Sequence, residues 1–184
     1  MIQEIVIFVI PFLVCMDIFF LSLSGGVTLV PFQWKTSLFI SIVFSLSQLV
    51  AGTLGLLIAS FILPLISSFS AIAGALLIAF FGSKMLQEAY KVKNVERTYL
   101  LEDREILFPL TLASSLSTFV IFVGLGFLQA PYIPTLIILF ASAFFLSQIG
   151  LFSGSHYRPL RLGRYSKFAG GFLIIIAIIL NFVL

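Results

Sequence analysis

Apolar residues run through this chain in long blocks, and polar residues gather at the breaks between them. A helix that crosses a bilayer needs about 20 mostly apolar residues. Six blocks qualify, roughly Ile5–Ser24, Ser37–Leu63, Ser70–Leu86, Ile106–Leu128, Thr135–Ser153 and Phe168–Leu184, of which the third and sixth are short. Pro31, Pro64, Pro131 and Pro134 fall between blocks, where helix breakers belong. Pro11 falls inside the first block, where it can kink a helix and release a carbonyl one turn earlier. Pro109 is placed in the first turn of the fourth, where proline is tolerated. The pattern predicts an all-α integral membrane protein with six transmembrane helices.

Composition agrees. Hydrophobic residues make up 61% of the 184 and charged residues 9%, with a mean hydropathy of +1.23. A soluble domain carries roughly 25% charged residues. The solvent for most of this surface is therefore expected to be lipid. The net charge of +3 does not indicate nucleic acid, because the ten Lys and Arg are confined to three inter-block segments. One holds Lys35. The next holds Lys84, Lys91, Lys93, Arg97 and Arg104. The last holds Arg158, Arg161, Arg164 and Lys167. Basic loops stay in the cytoplasm. The expected location is the cell (inner) membrane, multi-pass, with the 84–105 loop cytoplasmic and both termini outside. No cleavable signal peptide is expected, since the first block is long and ends in Ser-Gly-Gly. The single cysteine, Cys15, excludes an internal disulfide.

The two halves resemble each other. Phe44-Ser45-Leu46-Ser47-Gln48-Leu49 aligns with Phe144-Phe145-Leu146-Ser147-Gln148-Ile149, 100 residues on, and the same offset sets Asp17 against Ser117. Ala73-Gly74-Ala75-Leu76 aligns with Ala169-Gly170-Gly171-Phe172. A unit with an odd number of spans is inverted in its second copy. The expectation is a 3+3 inverted repeat: residues 1–86, a cytoplasmic linker at 87–105, and residues 106–184. Inverted repeats are frequent in secondary transporters, with the site at the midplane.

Asp17 is the only carboxylate deep within an apolar block. An acid at the bilayer centre costs roughly 2.5–3.5 kcal/mol, so it implies a function. Ser41, Ser45, Gln48, Gly52 and Gly55 follow a helical spacing that sets them on one face. Thr111, Ser114, Ser115, Ser117 and Thr118 form a second polar patch. Carboxylate, hydroxyl and amide oxygens suit hard cations such as Mg²⁺, Ca²⁺ or Mn²⁺. Cys15 reads as a small buried residue, and His156 as interfacial. The 84–105 loop, with Glu88, Glu96, Glu102, Asp103 and Glu105 among its basic residues, reads as a solvated linker with helical extensions paired as Lys84 with Glu88. No enzyme signature, nucleotide site or cofactor site is evident. Transport is expected to be secondary or channel-like, with Asp17 able to exchange a cation for a proton.

Met16-Asp17-x-Phe19-x-x-Ser22-x-Ser24-Gly25-Gly26, Gly82-Ser83-Lys84-Met85-x-x-Glu88 and Ala113-Ser114-Ser115-Leu116-Ser117-Thr118 resemble the first-, third- and fourth-helix motifs of the MntP-type manganese efflux pumps of the lysine-exporter superfamily. The resemblance implies six spans, an inverted repeat and export of Mn²⁺. The family pattern has an aspartate in helix 4 where this chain has Ser117, and tends to an acid in helix 2 where it has Gln48. The expected cation site is Asp17 as charged ligand, with Ser117, Thr118, Gln48 and Gln148 as neutral ones. The expected partners are the bilayer and the metal cation, with a homodimer left open. With one carboxylate in the site, export of a basic amino acid or other organic cation is the alternative cargo. A membrane subunit that keeps the fold without transport is a further alternative.

Overall fold

A computed structural model describes residues 2–66, 69–91, 101, 103–157 and 160–183. Among them are seven α-helices: α1 (Ile2–Val14), α2 (Met16–Gly26), α3 (Trp34–Ile62), α4 (Ser70–Lys91), α5 (Arg104–Phe127), α6 (Tyr132–Tyr157) and α7 (Leu160–Val183). Among the described residues, five stretches are long and apolar enough to cross a membrane: Phe8–Gly26, Trp34–Leu65, Ser70–Glu88, Glu105–Phe127 and Tyr132–Tyr157. The sixth expected span is a shorter apolar stretch, Phe168–Leu180, inside α7.

The first block is two helices rather than one. The ladder slips at Cys15, whose N–H bonds to Phe12 O at 3.2 Å instead of to Pro11 O. The Cys15 thiol donates to that bypassed Pro11 carbonyl at 3.2 Å. The break sits just ahead of Asp17. Pro109 also differs from expectation. α5 starts at Arg104, with Asp103 as its cap accepting from the Glu105 N–H at 3.0 Å, so Pro109 lies in the second turn. α4 runs on through Lys84 and Glu88 to Lys91. Lys93, Glu96, Arg97 and Glu102 of the expected linker, and Arg158 of the last basic segment, lie outside the described residues.

The principal packing partners are α3 with α5 and α6, α2 with α6 and α7, α4 with α5 and α7, and α1 with α6 and α7. In lipid there is little hydrophobic gain in bringing helices together, so close backbone approach and polar contacts must hold them. The glycines sit accordingly. Gly150 and Gly154 of α6 lie against the α2 backbone at Phe19 and Leu23. Gly55 of α3 lies on Phe119 of α5, Gly74 of α4 on Gly124 of α5, and Gly171 of α7 on Gly82 of α4. A side chain at any of these crossings would press on the neighbouring backbone. Large side chains point outward instead: Leu46, Val50, Phe80, Leu112 and Phe145 are all exposed, as lipid-facing residues should be.

Gly26 at the end of α2 lies against Leu151 and Gly154 near the end of α6, and Gly25 touches Leu101 just ahead of α5, so these points share one end of the bundle. Leu101 itself is buried, 1% exposed. The linker is thus anchored to α2 at that point and is not wholly solvated.

Candidate cation site

Asp17 lies two residues past the break at Cys15 and is half-buried. It borders a small cavity of about 20 Å³ together with Val14, Phe81, Lys84, Met85, Glu88, Ser117 and Ile121. A void of that size holds about one water-sized occupant. Asp17 comes from α2, Ser117 from α5, and Lys84 and Glu88 from α4. Asp17 and Ser117, which the repeat offset sets against each other, border the same cavity. Lys84 and Glu88, expected to belong to a cytoplasmic loop, reach the same cavity because α4 does not stop where its hydropathy falls.

Lys84 Nζ is 3.8 Å from Glu88 Oε1 and 5.0 Å from the centre of the Phe81 ring. A charge-assisted N–H···O bond is usually about 2.7–2.9 Å. The ammonium is therefore loosely held, with a carboxylate on one side and a ring face on the other. The two side chains are 43% and 44% exposed.

Gln48, Thr118 and Gln148 lie elsewhere. Gln48 is fully buried on α3, on the polar face the spacing predicts: Ser41, Ser45, Gln48, Gly52 and Gly55 are all buried. Its amide donates to Ser114 Oγ of α5 at 3.2 Å, and its carbonyl accepts from the Thr118 hydroxyl. Gln148 of α6 accepts from the Ser37 hydroxyl of α3 at 2.8 Å. Its Nε2 is buried with no hydrogen-bond partner among the described residues. Beside it, Ser147 joins Ser22 of α2 at 2.9 Å and Ser41 of α3 at 3.0 Å. These groups tie helices together. The structure brings Asp17 and Ser117 onto one cavity, and Gln48 and Thr118 onto each other.

The sequence profile described as "Putative manganese efflux pump" matches residues 31–183. That is most of the chain. The chain belongs to the MntP family. The matched span takes in α3 to α7 and leaves Asp17 ahead of it. A protein of Bacteroides thetaiotaomicron named "Putative manganese efflux pump MntP" is 31% identical over 144 residues, 76% of this chain and 74% of its own. Proteins of the same name from Methanosarcina acetivorans and Klebsiella pneumoniae are each 28% identical, covering 87% of this chain and 85% or 86% of theirs. No solved structure matches.

Proposed function

We propose that this chain is a secondary transporter that exports Mn²⁺, with Asp17 as its charged ligand. Membership of the MntP family supports the cargo. The observation that carries the site is the cavity shared by Asp17 and Ser117. Its size suits a single ion and is far too small for an amino acid, which favours the metal over the organic cation. Ser117 offers a neutral oxygen to a hard cation. Thr118, Gln48 and Gln148 do not border this cavity, and in this reading they tie helices together rather than ligate the ion.

The packing supports the inverted repeat. Exchanging α1 and α2 with α5, α3 with α6, and α4 with α7 turns every principal contact into another of the set. The confinement of Lys and Arg to three inter-block segments supports a cytoplasmic 84–105 region and outer termini. Alternating access would come from rocking one three-helix unit against the other. The helices of the two units interleave, so the motion is a sliding at the glycine crossings rather than the parting of two bundles. A proton taken up by Asp17 on release would couple export to the proton gradient.

The test is Asp17→Asn expressed in cells challenged with Mn²⁺. The expected outcome is loss of resistance with a rise in cell manganese. Unchanged resistance and metal content would sink the reading.

A further inference from the structure

A divalent ion facing Asp17 alone would keep one uncompensated positive charge in a low-dielectric site, which is costly. The position opposite, Ser117, supplies no charge. The cavity supplies it from another direction. Glu88 of α4 borders the same ion-sized void as Asp17, and so does Lys84. Two carboxylates balance a dication. With no ion present, they would face each other across the void, and the ammonium of Lys84 offsets that repulsion. Lys84 is also poised to leave. Its 3.8 Å separation from Glu88 is loose, and nearly half of its side chain is exposed. A long, flexible lysine stem can carry its charge outward when a stronger cation arrives.

We propose that α4 completes the cation site: Glu88 is the second carboxylate beside Asp17, and the Lys84 ammonium is the charge that an incoming divalent cation displaces. This rests on the Mn²⁺-export reading and extends it. Removing Lys84's charge makes binding tighter, because a repelling neighbour is gone. It also slows turnover, because nothing then helps to expel the ion.

The test is Mn²⁺ binding to the purified full chain in detergent, read by the loss of the free-ion electron paramagnetic resonance signal, with metal-free thermal unfolding measured alongside. Glu88→Gln is expected to weaken Mn²⁺ binding by about tenfold or more, and Glu88→Asp to recover part of it. Lys84→Gln is expected to tighten binding about threefold or more, while Lys84→Arg stays close to the parent. A gain in affinity cannot arise from misfolding. Binding by Glu88→Gln within about twofold of the parent, or no gain in Lys84→Gln, overturns the proposal. If the parent binds Mn²⁺ and Asp17→Asn alone abolishes binding, the second carboxylate falls and the export reading stands. If the parent binds no Mn²⁺, both fall.

Discussion

Gln48 and Asp17 are both polar side chains at helix crossings inside the bundle, and their surroundings differ in kind. Both ends of the Gln48 amide are engaged. Its nitrogen donates to Ser114 and its carbonyl accepts from Thr118, so one α3 side chain engages two positions a turn apart on α5. No formal charge is involved and the glutamine is wholly buried. Around Asp17 there is an ion-sized void bordered by two acids, a base and a hydroxyl, with the base held loosely. Saturated neutral groups are what helix association in lipid requires. A charged, half-exposed set around a void is a poor way to hold helices, because each charge costs more to keep at that depth than a neutral group does. On the proposed reading, the first centre stays shut and the second exchanges an ion.

The sharpest way to break this contrast is to neutralise each centre in turn. Asp17→Asn should cut Mn²⁺ flux in proteoliposomes by at least about tenfold, since the ion loses a full charge of its ligand set. It should leave thermal stability unchanged or raised, because an intramembrane acid has been removed. A large loss of stability would place Asp17 in the structural class with Gln48.

Gln48→Leu should do the reverse. It strands the Ser114 and Thr118 hydroxyls and should lower stability in detergent by about 1–2 kcal/mol. Flux per folded molecule should stay within about twofold of the parent. Adding Thr118→Val to that background should recover part of the loss, since removing both partners of a buried hydrogen bond costs less than removing one. A collapse of Mn²⁺ flux in Gln48→Leu with stability intact would move Gln48 into the ion site.

Much of the fold can be read from the chain because lipid-facing helices repeat one simple requirement, about 20 apolar residues at a time. The buried face of α3 is equally plain, since Ser41, Ser45, Gln48, Gly52 and Gly55 follow the helical period. What they touch is not, because spacing along one helix says nothing about which helix lies opposite. Asp17 stands out by its cost. Lys84 and Glu88 do not, because two charges at the tail of a weakly apolar run look the same whether the helix has ended or continues beside a cavity. Their i,i+4 spacing is the available signal, and it predicts the pair but not the neighbour. The break at Cys15 is not visible. Pro11 predicts a ladder weakened one turn before it, not a slip four residues after it whose carbonyl a thiol takes over.

That thiol gives the smallest and most local test of the contrast. Cys15 is buried, and its Sγ lies 3.2 Å from the Pro11 carbonyl and 3.7 Å from the Leu139 carbonyl of α6. It does not border the cavity of Asp17. It therefore belongs with the groups that satisfy buried polar atoms, like Gln48, although it is only two residues from the acid. A thiol is a weak donor, so its bond adds little to the slipped turn it accompanies. Cys15→Ala should then cost less than about 1 kcal/mol in detergent. Cys15→Ser keeps a donor in nearly the same volume and should match the parent more closely. Both should transport Mn²⁺ as the parent does. If Cys15→Ala instead lost flux while keeping its stability, the helix break would be setting the position of Asp17, and the line between holding groups and exchanging groups would run through residue 15 itself.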